Sequence, residues 1–275
     1  MNQPPVEQHQ HRGHRTPRWP VRVRQLTVLR TEQLTPRMRR LVLGGPELAG
    51  FESHRPDEHV KLIFPDADTG ELRLPVESGD VLDWPDPFPT TREYTVRAYR
   101  PDAGEIDLDF LIHPGGLASD WARTVAVGTR IWVAGPPGWP KPVPDRIGYR
   151  LLAGDETALP AIARILAELP ADATGHAVIE VADTDEWQDL AAPAGVTVSW
   201  LYRDGSGSTL ADTVRGCHVP ADAGPYVWIA GEADRIRPLR RWVRDLGLPR
   251  ERVLVSGYWK VGTADHDDED DADAA

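Results

Sequence analysis

From 21 to 30 the chain reads "VRVRQLTVLR", in which apolar and polar residues alternate. A period of two places every second side chain on one face, so the stretch predicts a strand with one side in a core. The same texture returns in "MRRLVLGG", "EHVKLIFP", "REYTVRAYR", "EIDLDFLIH" and "TRIWVAGPPG", each cut off by Pro, Gly or a polar turn. Six short strands so punctuated predict an antiparallel sheet closed into a barrel over residues 19–146. One helical insertion, "GGLASDWARTV" at 115–125, interrupts it.

After residue 147 the period changes. "YRLLAGDE" is an apolar strand ending at Gly154, and "TALPAIARILAELP" follows with Ile162, Ile165, Leu166 and Leu169 on one helical stripe. Thr157 is expected to cap that helix, and Pro160 falls in its first turn, where the missing N–H costs little. "GHAVIEVAD", "VTVSWLYR", "PYVWIAGEA" and "ERVLVSGYWKVG" read as further strands, with helices predicted in "STLADTVRGC" and "ADRIRPLRRWVRDLG". Alternation of strand and helix predicts a doubly wound parallel sheet over 147–262. The expected architecture is therefore β followed by α/β, flanked by a disordered polar arm at 1–18 and a disordered acidic tail at 263–275.

Composition narrows the function classes. The net charge of −12 across 275 residues argues against a nucleic-acid-binding surface. Seven of those carboxylates crowd into "DHDDEDDADAA" at 265–275, which leaves the remainder near −5. Cys217 is the sole cysteine and lies beside His218, so no intrachain disulfide forms, and a cytoplasmic protein is expected. No apolar run approaches the roughly 20 residues of a membrane span. His9, His11 and His14 sit in the polar arm, and no Cys/His cluster has metal-ligand spacing.

Candidate chemistry lies in three places. "TTREYTVRAYR" sets Arg92, Tyr94, Thr95 and Arg97 on one strand, either as solvated charge or as a site for an anionic, ring-bearing ligand. "HPGGLASDWA" places His113, Gly116, Ala118 and Ser119 at a helix start, where free N–H groups favour anions. "AGDETALP" and "AGEAD" put a Gly at a strand end that feeds a helix, the ligand-binding edge of a parallel sheet. Neither is a GxGxxG fingerprint.

"REYTVR" resembles the Arg-x-Tyr-Ser/Thr-x-Arg flavin signature of ferredoxin-reductase-like barrels. "AGDETALPAIARILAELP", "WIAGEA" and "VSGYWKVG" resemble, more narrowly, the siderophore-interacting proteins, which are flavin-dependent ferric-siderophore reductases. The likeness spans roughly residues 19–262. It implies FAD as cofactor, with Arg92 on the diphosphate, Tyr94 against the isoalloxazine and Thr95 at its reactive edge, the last two acting in catalysis. Arg97, His113, Gly116, Ala118, Ser119, Asp155, Thr157 and Ala158 complete the implied cofactor set. Lys61, Lys141 and Lys260 are candidates for holding an anionic ferric siderophore. NAD(P)H is the implied donor, with ferredoxin as the other possibility. Asp155 and Glu156 stand where a nicotinamide cofactor's phosphates prefer neutral residues, and Arg203 is a candidate for a 2′-phosphate. The alternatives are a general NAD(P)H-dependent flavin or ferric-chelate reductase and a non-catalytic flavin-bound siderophore carrier.

Overall fold

The computed structural model describes residues 19–137, 144, 146–205 and 207–263. The expectations for the two chain ends, for the arm histidines and for Lys141 fall outside them. Six strands close the barrel: β1 (Val23–Gln33), β2 (Met38–Gly44), β3 (His59–Phe64), β6 (Thr90–Arg100), β7 (Glu105–Leu111) and β8 (Arg130–Ala134). Their order is β1-β2-β7-β6-β3-β8, and antiparallel pairing of β8 with β1 completes the ring. Leu26, Val28, Leu41, Leu43, Leu62, Val96, Leu108 and Phe110, from alternating inward positions, fill its centre. α1 (Leu117–Thr124) plugs one end through Ala118 and Ala122.

A small hairpin outside the barrel, β4 (Val76–Ser78) with β5 (Val81–Asp83), is not foreshadowed by the pattern. Val76 and Val81 are exposed, so no buried face gives these strands a readable period.

The second half is a five-stranded, wholly parallel sheet. It contains β9 (Tyr149–Gly154), β10 (Gly175–Val181), β11 (Val196–Tyr202), β12 (Pro225–Glu232) and β13 (Val253–Trp259), ordered β11-β10-β9-β12-β13. α2 (Leu159–Glu168) covers one face, packing Leu159, Ile162 and Leu166 on Leu152, Ile179 and Trp228. α3 (Leu210–Arg215) and α4 (Ala233–Asp245) cover the other, packing Val214, Ile236, Leu239 and Val243 on Val178, Val227 and Ile229. Both faces are buried, which explains why β12 carries eight consecutive buried residues instead of alternating.

The halves are joined by polar contacts with little exposure. Arg164 of α2 donates to the Val96 carbonyl and to Ser53 Oγ on the barrel, both at 2.8 Å. Glu186 accepts from Thr35 Oγ1 (2.5 Å) and from the Arg37 N–H (3.0 Å). Met38, a barrel residue, belongs to the core under α2. Among the described residues no helix is long and apolar enough to cross a membrane.

Candidate functional site

The barrel is closed but not uniformly paired. β6 pairs with β3 over Thr90–Thr95, and with β7 only from Val96 to Arg100. Beyond Leu108, β7 pairs with β2 alone. The two strands therefore part at Val96, leaving an opening between Thr90–Thr95 and the far end of β7. The Val96 N–H donates to the Glu58 carbonyl on the β3 side, which fixes the parity of the strand. By alternation, the backbone groups of Thr91, Glu93 and Thr95 point into the opening. The closed end of the hairpin is pinned by charge. Arg100 holds Asp107 and Glu105, and Glu105 accepts both Arg30 N–H groups at 2.6 and 2.7 Å.

Side chains line the opening from both sides. Arg92 lies opposite Leu62 and Tyr94 opposite Val60, so both share the barrel's inner face. The Tyr94 ring packs 4.0 Å from Phe110, which in turn meets Trp121 of α1 at 5.9 Å. Burial raises the Tyr94 phenol well above its ordinary value, against a smaller opposing pull from Arg92, so it stays protonated. Arg92 also donates to the Thr91 carbonyl at 2.5 Å. Thr95 is buried and approaches from the opposite face, beside His59.

The loop before α1 is shaped for backbone exposure. Ser119 Oγ accepts from the His113 N–H (2.7 Å) and donates to the His113 carbonyl (2.8 Å), closing residues 113–119 on themselves. A Cβ on Gly116 would meet His113 Cε1 at 2.4 Å, so a larger residue there would push the exposed His113 ring aside. The first-turn amides of α1, including that of Ala118, have no intrahelical acceptor. FAD fits this set. An unpaired strand edge can hydrogen-bond a flavin's ring edge, Tyr94 offers an aromatic surface, and Arg92 with the α1 loop offers donors to a diphosphate.

Arg97 departs from the sequence expectation. A bulge between Val96 and Ala98 turns it to the outer surface, 4.0 Å from Asp109, whose carboxylate already takes two Arg40 N–H groups at 2.7 and 2.8 Å. Its guanidinium lies with Arg40, Leu34, Trp187 and Leu190 in a cleft between the halves, apart from the Arg92 cluster.

At the carboxyl edge of the parallel sheet, the acids turn inward. Asp155 Oδ1 accepts from the Thr157 N–H (2.9 Å) and Oγ1 (2.6 Å), while Oδ2 accepts from the Glu232 N–H and Trp259 Nε1, both 2.9 Å. Four hydrogen bonds consume its carboxylate, which leaves no side-chain acceptor for a cofactor. Thr157 donates to Asp155 and does not cap α2; Ala158, with no side-chain oxygen, holds the cap position. Glu180 accepts from Ser208 Oγ and the N–H groups of Thr209 and Leu210 at the start of α3. Glu232 accepts from the Arg235 N–H of α4 at 2.8 Å and from Val261 N at 3.2 Å. Arg203 is not poised for a phosphate, because it ion-pairs with Glu156 and lies 3.5 Å from Glu180. Nothing local in the sequence marks Glu180 as the residue that holds the start of α3.

The lysine candidates arrive with partners. Lys61 pairs with Glu93, the residue opposite it on β6, and His59 lies 3.5 Å from the same carboxylate. Lys260 Nζ is 4.0 Å from Asp234. Among the described residues no group of three metal-ligating side chains occurs.

A closed six-stranded antiparallel barrel followed by a doubly wound domain is the ferredoxin-reductase-like fold. The ferredoxin reductase of carbazole 1,9a-dioxygenase shares this fold at 17% identity, with a TM-score of 0.63 over 88% of this chain and 71% of its own. Within that class the chain belongs to the siderophore-interacting protein family. Residues 27–139 match the siderophore-interacting FAD-binding domain, and residues 148–262 match the siderophore-interacting protein domain. A siderophore utilization protein from T. fusca is similar at 38% identity and a TM-score of 0.83, covering 91% of this chain and 97% of its own. The ferric vibriobactin reductase ViuB of Vibrio cholerae is 33% identical over 87% of this chain and 90% of its own length. The NADPH-dependent ferric-chelate reductase of Escherichia coli is 35% identical over 89% and 98%.

Proposed function

We propose that the protein is an FAD-dependent oxidoreductase that reduces Fe(III) held by a siderophore and so releases the metal as Fe(II). The observation that carries this reading is the opening between β6 and β7, flanked by Arg92, Tyr94 and the α1 loop, in a chain whose relatives include named ferric reductases. Bound FAD supplies a store of two electrons that can be passed on singly. Arg92 and the α1 loop hold the diphosphate, Tyr94 shields the ring from water, and Thr95 donates or accepts at its edge. Siderophores grip iron through hard oxygen donors that favour Fe(III), so one added electron weakens the complex without any protein ligand to the metal. Lys61 and Lys260 steer an anionic chelate only modestly, because Glu93 and Asp234 offset them and exposed pairs are worth roughly 0–1 kcal/mol.

The test is anaerobic. Chemically reduced holoprotein mixed with a ferric siderophore is expected to recover its oxidised flavin spectrum, with trapped Fe(II) appearing at up to two equivalents. No reoxidation by any ferric siderophore, alongside rapid reaction with free flavin, would favour a general flavin reductase.

The relative's name makes NADPH a candidate donor, and ferredoxin is the other. Asp155, Glu180 and Glu232 support a restriction on the first: these buried carboxylates already occupy the amides where a dinucleotide diphosphate binds. NADPH is expected to reduce the flavin with an apparent KM near the upper end of the usual range, ~1 mM. Stopped-flow reduction checks this, and saturation at a few micromolar would refute it.

A further inference from the structure

The bulge in β6 leaves Arg97 without a partner in the barrel ladder and aims its side chain into the cleft between the halves. There the guanidinium is poorly satisfied. Asp109 stands 4.0 Å away, but both of its carboxylate oxygens already accept from Arg40. Among the described residues the Arg97 side chain makes no hydrogen bond. Burial lowers its pKa, with Arg40 and Arg164 pushing the same way against Asp109 and Asp107. A cation so placed lacks both its full hydration and a close counter-ion, and it gains from an anion that can reach it.

The rest of the cleft says which anion. Its volume is about 310 Å³, enough for a small organic molecule. Across from Arg97 the loop after β10 presents Trp187, which is 51% exposed, together with Leu190. Leu34, in the turn between β1 and β2, adds a third apolar wall. An accessible indole face beside two leucines suits a flat apolar body. These walls are held in place beforehand: Glu186, next to Trp187, accepts from Thr35 Oγ1 and from the Arg37 N–H, next to Leu34. Charge limits the ligand to one negative unit. Arg40 and Asp109 offset each other, and Asp189 on the exposed rim repels a second negative group.

This place is distinct from the flavin opening and from the lysine candidates. Arg92 faces the barrel's inside, and Arg97 the outside. Lys61 lies opposite Glu93, four residues before Arg97 on β6, or about 13 Å along the strand. Lys260 follows β13, three strands from β10, or about 14 Å across the sheet.

We propose that the cleft between Arg97 and Trp187 is a second small-molecule site that takes an aromatic monocarboxylate, its carboxylate on Arg97 and its ring among Trp187, Leu34 and Leu190. Both halves of the molecule supply walls, so an occupant also ties the barrel to the parallel sheet. Such a site stands apart from the reductase reading, and its test involves neither iron nor turnover.

Holoprotein is titrated calorimetrically with 2-naphthoate and, as its neutral twin, 2-naphthamide. Saturable binding of naphthoate at one site per chain is expected, with a Kd below about 1 mM and an unchanged flavin spectrum. Arg97→Met and Trp187→Ala are each expected to weaken it at least about fivefold while retaining FAD, and naphthamide to bind weaker by at least the same factor. Should Arg97→Met lose its FAD, Trp187→Ala, altered at an exposed position, decides the matter. A smaller effect in either variant that retains FAD, or equal binding of the two probes, would overturn the proposal. So would failure to saturate by about 10 mM. Naphthoate that shifts the flavin bands or expels FAD would place the ligand at Arg92 instead, which also overturns it.

Discussion

Arg92 and Asp155 show two uses of a charge that is partly or wholly removed from water. Arg92 is half-buried at an open strand edge, where one of its donors is held by the Thr91 carbonyl. Arg92→Ala is expected to weaken FAD binding by roughly 1.5–3 kcal/mol, the scale of a hydrogen bond to a charged group. Fluorescence titration of apoprotein reads this, and wild-type affinity in the variant would remove the diphosphate role. Asp155 is only 2% exposed and joins three segments: the turn before α2, the end of β12 and Trp259 of β13. Asp155→Ala leaves the Thr157 and Glu232 N–H groups and the indole without their acceptor. A loss of about 3–5 kcal/mol is expected, at 1–3 kcal/mol for each stranded donor with some relaxation. Urea unfolding measures it, and a loss below 1 kcal/mol would show that water takes the carboxylate's place.

At the scale of elements, the β6–β7 hairpin is held at one end and open at the other. Hydrogen bonds from Arg30, then from Arg100, hold the Glu105 carboxyl down at about 2, against a smaller desolvation effect. A carboxyl depressed in the folded state contributes stability that is present above its unfolded value, near 4.3, and is lost as pH falls towards 2. Glu105→Gln is therefore expected to flatten the fall in stability between about pH 4.5 and 2. Thermal melts across that window check it, and an unchanged slope would assign the effect to other groups. All six barrel strands, the five parallel strands and four helices were legible, the first by a period of 2, the second as short apolar runs ending in turn residues, and the helices by a period of 3.6. The parting of β6 from β7 was not, since period says which side a residue faces and nothing about where pairing stops. The Lys61–Glu93 pair was hidden for the same reason, being a matter of register between distant segments. Asp155 and Glu156 stood out as acids at a phosphate edge, but only the folded backbone shows that both carboxylates face inward.

At the scale of the whole molecule, the opening has a consequence for the protein without its cofactor. A barrel avoids sticky edges by pairing every strand on both sides, and β6 forgoes that along Thr90–Thr95. Bound FAD would cover this edge. Stripped of it, the molecule presents a short strand ready to pair with the same strand of a neighbour, so cofactor loss becomes a route to self-association as well as inactivity. Apoprotein is expected to show a concentration-dependent shift to larger species in light scattering, reversed by adding FAD. A strictly monodisperse apoprotein would mean that β7 swings across and completes the ladder. Half a dozen residues of unmade pairing thus tie the supply of a vitamin-derived cofactor to the solubility of the chain that uses it.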